Sequence, residues 1–175
     1  VSWFILGSGI FGLPFLFNPA VNALFIGIII YKRTKTSVTI VTAAYISLII
    51  LQILSPPLGP PTLYPLETVA VLYDKIIGLI VFYPAVYYYK RTQLKPQQLI
   101  KNRIIIYFLI ALVGNVLDNL LGTVIFSYPP IYQGIYAMSV DTVRFYFLLY
   151  PYIYILIRIS QSVFAALIIF ALIKA

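Results

Sequence analysis

The sequence predicts an all-α, polytopic integral membrane protein, a bundle of transmembrane helices in which residues 1–175 form one domain. Three observations carry this. Of the 175 residues, 62% are hydrophobic and only 9% are charged, which leaves too little polar surface to coat a soluble fold. Apolar runs reach the roughly 20 residues that a hydrocarbon core of about 30 Å demands of a helix. The basic residues also fall in alternate loops. Lys32-Arg33-Thr34-Lys35 is basic, five more lie between Lys90 and Arg103, and Lys174 closes the chain, whereas Ser55 to Leu66 carries no charge and Ser127 to Val143 has one acid and no base. Basic loops stay in the cytoplasm, so a multi-pass protein of the cell membrane with a cytoplasmic C-terminus is expected.

The first apolar stretch, Trp3 to Tyr31, is interrupted by Asn18-Pro19. As one kinked helix it makes five spans with the N-terminus outside; as two short helices hinged at Pro14 to Pro19 it makes six, with both termini inside. Pro14 and Asn18-Pro19 together suggest a reversal and favour six, because Pro disfavours helical geometry in the residue before it. No basic start precedes this run, so a cleavable signal peptide is not expected. The remaining spans are roughly Ser37 to Leu54, Leu66 to Tyr89, Ile104 to Phe126 and Phe145 to Ile173, helical because lipid offers backbone groups no other partner. Prolines in the outer connections, Ser55 to Thr62 and Ser127 to Asp141, predict stiff, extended, ordered caps or simple turn punctuation. The inner loop Lys90 to Arg103, with Leu94, Leu99 and Ile100 among basic and amide side chains, suits a short helix on the inner leaflet.

Function is narrowed first by what is missing. There is no Cys and no His, hence no disulfide, no thiolate and none of the commonest metal ligand; no metal or cofactor is expected. No H-E-x-x-H, paired-Glu or phosphate-loop motif occurs, so an enzyme is not expected. The net charge of +8 does not point to nucleic acid, since ten of the twelve Lys and Arg sit at segment ends, where membrane orientation accounts for them.

Charges inside spans are costly, at least about 2.5 kcal/mol each at mid-bilayer. Asp74, Asp118 and Arg158 lie roughly 12, 12 and 20 Å below the outer ends of their spans at the helical rise, so charges of both signs reach a similar level and mutual pairing is expected. Gly114, Asn115, Asp118, Asn119 and Gly122 share one helical face. Arg158, Gln161, Ser162, Ala165 and Ala166 share another, and Glu67, Ala70, Asp74 and Gly78 a third. Three such stripes describe either the wall of a cavity open to the outside or the small and polar residues that ordinarily glue membrane helices together. The glycines flanking Asp118 favour the cavity by leaving room. Ser8 with Gly12, Ala23 with Gly27, and Thr39 with Ala43 and Ser47 recur every four residues, a spacing that lets another helix touch closely.

This pattern resembles the substrate-binding S component of energy-coupling factor transporters. The likeness rests on a six-span plan with a short second helix, on Gly114-Asn-Val-Leu-Asp-Asn-Leu-Leu-Gly122, and on Tyr150-Pro-Tyr-Ile-Tyr-Ile-Leu-Ile-Arg158 running into an Ala-containing helix end. Two departures stand out: Ile157 occupies the place where family members often carry an acid, and the docking motif is reduced to Thr39, Ala43 and Ser47. The resemblance implies a membrane subunit that captures a vitamin-like small molecule from outside and docks on a transmembrane coupling protein driven by a pair of ATPases. It implies that Asp74, Asn115, Asp118, Asn119 and Arg158 contact the ligand, and that Tyr64, Tyr128, Tyr132 and Tyr136 stack on it or close over it. Ser8, Gly12, Thr39, Ala43 and Ser47 then form the docking face. For any one tyrosine the competing role is the aromatic belt of the membrane interface. The main rival to the whole reading is a non-transport scaffold or assembly protein. A channel is disfavoured by the apolar inner halves, Ile104 to Val113 and Phe164 to Ile173.

Overall fold

In the computed structural model, which describes residues 13–32, 35–60, 62–94 and 100–174, every regular element is helical. A 3-10 turn, Leu13–Phe15, precedes α1 (Asn18–Lys32), followed by α2 (Lys35–Ile53), α3 (Pro65–Leu94), α4 (Ile100–Phe126), a π-helical turn Pro130–Ile135, and α5 (Val140–Lys174). Four of these, α2 to α5, are long and apolar enough to cross a membrane, while α1 is shorter. The first of the two short helices expected around the Pro14 to Pro19 hinge lies outside the described residues. Asn18-Pro19, however, begins a helix instead of merely interrupting one: Pro is favoured in the first turn because its missing N–H is one of the donors that a helix start leaves unused.

Helix ends extend beyond the expected spans. α3 runs on to Leu94 and α4 starts at Ile100, so the flanks of the inner loop belong to the long helices and not to a separate surface helix between Lys90 and Arg103; residues 95–99 lie outside the described residues. The outer connections are ordered but not extended. Ser55 O accepts from Leu58 N and Gly59 N at 3.0 Å each, and Pro60 O accepts from Leu63 N at 2.9 Å, so the first is a run of tight turns in which Gly59 takes φ +61°. Pro129-Pro130 starts a helical turn, since Pro fits a first turn better than its density suggests. That turn closes through Ala137, at φ 53°, which lets Met138 N reach back to Tyr132 O at 2.8 Å.

α4 is the hub, in contact with α1, α2, α3 and α5; a helix surrounded by others is the one place where a polar stripe escapes lipid. The core lies in three tiers along the bundle. An inner tier joins Val41, Phe82, Ala85, Val86 and Val113, a central one Tyr45, Val116, Leu117 and Leu120, and an outer one Leu58, Val71, Leu72, Tyr132, Val143 and Phe147. Leu58 is wholly buried and pins the first outer loop to the bundle, a contribution of roughly 1.5–3 kcal/mol.

Candidate functional site

The polar side chains of α3, α4 and α5 meet at the level of the central tier. On α3, Asp74 and Lys75 are both buried. Lys75 Nζ lies 2.7 Å from Asp74 Oδ1 and donates to Oδ2 at 2.9 Å, and Asn119 Nδ2 of α4 donates to the same Oδ2 at 3.2 Å. Tyr45 of α2 donates its hydroxyl to Lys75 O at 3.0 Å. This half of the layer is closed: neighbouring residues on one helix neutralise each other, and the surrounding amide and phenol fix their geometry.

The other half joins α4 to α5. Asn115 Nδ2 donates to Ser162 Oγ at 2.9 Å, and Ser162 Oγ donates to Arg158 O at 2.6 Å. Arg158 Nη1 approaches Asp118 Oδ2 at 3.4 Å and donates to Gln161 Oε1 at 3.0 Å. The Asp118 and Arg158 side chains stay 20% and 16% exposed, unlike Asp74 and Lys75. Asp118 Oδ1 and Arg158 Nε are nevertheless buried atoms without a hydrogen-bond partner. Asn115, Asp118 and Asn119 lie within two turns of α4 and reach α5 on one side and α3 on the other, so the two halves form one layer with two charges of each sign.

Gly114 and Gly122 do not leave room beside Asp118. A methyl group on Gly114 would overlap Ile26 Cδ1 and Asn22 Oδ1, and one on Gly122 would come within 2.9 Å of Asn18 Nδ2. Both glycines seat α1, and Asn18 Nδ2 donates to Asp118 O at 3.4 Å. Gly78 likewise seats Tyr45 and Val116. The small residues of these stripes therefore serve close packing, and the expectation that glycine opens space at Asp118 is corrected. A small void of about 20 Å³ lies instead among Phe25, Ile26, Val41, Phe82, Gly114 and Leu117, but its lining is apolar and no ionisable residue marks it in the sequence.

The tyrosines scatter. Tyr132 is buried in the outer tier, Tyr128 is exposed on the outer loop, and Tyr136 stacks edge-on to Phe126 at 5.4 Å. Partial burial, then the nearby Tyr154, raises the Tyr136 phenol above its ordinary range, so it stays protonated. Tyr64 lies beneath Arg144, whose guanidinium sits 3.7 Å from its ring centroid. Arg144 also donates from Nε to Pro57 O at 2.7 Å and pairs with Asp141 at 2.9 Å, and thereby ties the first outer loop to the start of α5. The sequence reading passed over Arg144; its signal is the three-residue spacing from Asp141 at a helix start. Of the proposed docking residues, Thr39, Ala43 and Ser47 all face outward from α2, as do Ala23 and Gly27 of α1, and space is open around Gly27. Ser8 and Gly12 lie outside the described residues. Among the described residues no group of three or more acidic, His or Cys side chains is placed to hold a metal ion. No protein-family model matches the chain, and no curated protein or solved structure is significantly similar to it.

Proposed function

We propose that this protein is a membrane-embedded solute-binding subunit that takes up a small, vitamin-like molecule from the outer side, with its C-terminus in the cytoplasm. The observation that carries the reading is the half-satisfied Asp118–Arg158 pair. Asp74 and Lys75 in the same layer are closed off from solvent, and Asp74 Oδ1, though without a hydrogen bond, lies 2.7 Å from the Lys75 ammonium; the Asp118 and Arg158 side chains stay 20% and 16% exposed, meet only at 3.4 Å, and leave Oδ1 and Nε unmatched. A buried polar atom without a partner costs about 1–3 kcal/mol, and a ligand that supplies the missing partners recovers it. Capture of this kind needs a separate machine to release the solute inward. The outward-facing Thr39, Ala43 and Ser47 of α2 offer a smooth strip on which a transmembrane coupling protein, powered by an ATPase pair as in energy-coupling factor transporters, would dock. No catalytic step is assigned to the chain.

A second reading has support of its own. Gly114, Gly122 and Gly78 are filled by neighbouring helices, and Lys75 and Asn119 both donate to Asp74 Oδ2, which is how a scaffold held by polar adhesion is built. Two measurements separate the readings: mass spectrometry of small molecules that co-purify with the detergent-extracted protein, and thermal shift against a vitamin panel. A ligand at a hundred times its Kd stabilises by about 2.7 kcal/mol, a rise on the order of 5–10 °C for a chain of this size. The solute-binding reading expects such a rise, abolished by Asp118→Ala in a protein that still folds. It fails if nothing co-purifies, no compound shifts the transition, and Asp118→Ala merely lowers stability.

A further inference from the structure

Gln161 is the amide that the bundle leaves facing lipid. It lies on α5 about 15 Å from Ala171, the inner end of that span, at the helical rise, and so stands near the middle of a hydrocarbon core about 30 Å thick. Among the described residues it is the one amide exposed within a span. Its Oε1 accepts from Arg158 Nη1 at 3.0 Å, while its Nε2 donates to nothing among the described residues. Exposed Ser47 and Ser160 pose no such difficulty, because a serine hydroxyl can turn back to a carbonyl of its own helix. A glutamine amide is held away from the backbone by its methylenes and needs a partner on another helix, since lipid has none to give.

The helix that carries it is also the least covered of the long ones. Only 11% of the apolar stretch of α5 is buried in the bundle, against 50% for α3 and for α4. Exposed apolar side chains are what lipid requires of any span and say nothing by themselves about a partner. Gln161, however, sits in a row. Tyr154, Ile157, Gln161, Phe164 and Ile168 are all exposed and alternate three and four residues apart, the spacing at which parallel helices pack along one seam, and a single amide in such a seam fixes its register and the number of partners.

The occupant follows from the amide and from membrane orientation. Copies in one membrane point the same way, so the axis that relates a pair runs along the membrane normal, and like residues of α5 face each other. Gln161 then meets Gln161 of the second copy. Each Nε2 donates to the Oε1 opposite, which has a lone pair beyond the one that Arg158 occupies. A foreign helix would have to carry an amide at the same depth; a second copy does so by symmetry. We propose that α5 is the contact between two copies of this chain, joined by a reciprocal Gln161 amide pair. This pairing is independent of the solute-binding reading.

The chain has no Cys, so one introduced thiol reports only on contact between molecules. In the full protein reconstituted in liposomes, Ile157→Cys and Phe164→Cys, on the seam beside Gln161, are expected to form disulfide-linked dimers on mild oxidation several times faster than Leu156→Cys and Val163→Cys. All of these positions are exposed in the single chain, so access from lipid does not separate them. Gln161→Leu, similar in size and without the amide, should weaken the dimer about threefold to tenfold, the worth of an interhelical hydrogen bond, read as lost energy transfer between labelled copies, and Gln161→Asn should keep part of it. Equal cross-linking on and off the seam, an unchanged dimer in Gln161→Leu, or single copies by stepwise photobleaching overturns the proposal. So does a native membrane in which the Phe164→Cys thiol links to a different polypeptide while the purified protein stays single.

Discussion

Lys75→Met removes the ammonium from a carboxylate that has almost nothing else to hold it. Asp74 is fully buried, and apart from Lys75 its oxygens have only Asn119 Nδ2, at 3.2 Å. Breaking a buried pair by deleting one partner costs about 3–5 kcal/mol, because the remaining charge is stranded. For a chain of this length about 1 kcal/mol moves the midpoint by roughly 2–4 °C, so a fall on the order of 6–20 °C is expected for the single variant. Asp74→Asn with Lys75→Met strands no charge, and the new amide still meets Asn119; it should recover most of the loss, giving a coupling of at least about 2 kcal/mol in the double-mutant cycle. Thermal unfolding of the detergent-purified protein, followed by circular dichroism, measures all four corners of the cycle. A single variant within about 1 kcal/mol of the parent, or a double variant no better than the single, would refute the argument that this half of the layer is a closed ion pair.

Two further substitutions probe the packing and the outer cap. Gly78→Ala brings a methyl group to 2.6 Å from the Tyr45 hydroxyl and 2.7 Å from Val116 Cγ1, with Val116 Cβ at 3.1 Å behind it, and overpacking of this kind costs about 1–3 kcal/mol. Gly27→Ala meets nothing within 4 Å and should leave the unfolding midpoint unchanged or slightly raised, so equal effects at the two sites would contradict the packing. Arg144→Ala deletes the bond to Pro57 O, the pair with Asp141 and the stack on Tyr64; faster amide exchange and proteolysis in residues 55–64, with the polar layer unaffected, is the expected outcome. Arg144→Lys should rescue only part of this, since an ammonium does not combine the planar stack with the sideways donor. Full rescue by Lys would mean that charge alone holds the loop.

The bundle and its polar layer are legible in the sequence because the membrane restricts the alternatives. Lipid forces apolar runs into helices, and buried charge draws Asp118 and Arg158 together across neighbouring helices, whereas Asp74 finds its counter-charge in Lys75 on its own helix. Helix lengths are less legible. Ile104 and Phe145 mark where hydrophobicity begins, yet α4 starts at Ile100 and α5 at Val140, because a helix continues past the apolar stretch as long as its backbone bonds are satisfied. The partner of each charge is hidden for another reason: periodicity gives a face but not the direction of a long side chain, so Lys75 turning back on Asp74 and Arg144 reaching Pro57 leave no trace in spacing. The role of the glycines is ambiguous on the same ground. A missing side chain is equally compatible with a void and with a neighbour pressed close, and only the position of α1 decides between them.

Asp118 stands where those two uses of α4 meet. Its carbonyl accepts from Asn18 of α1, on the side where Gly114 and Gly122 let the two helices close up, while its carboxylate reaches Arg158 of α5. Different atoms of one residue thus serve the two helix contacts: the α1 seam uses backbone and small residues, and the α5 contact uses a side-chain pair left half matched. In a purely adhesive stripe the Asp118 carboxylate would serve to neutralise Arg158, but their contact, at 3.4 Å, is looser than the 2.7 Å contact of Asp74 with Lys75. Charges in a span are costly, and it is the difference between the buried Asp74–Lys75 pair and the looser, part-exposed Asp118–Arg158 pair that favours a bound solute over a second piece of glue.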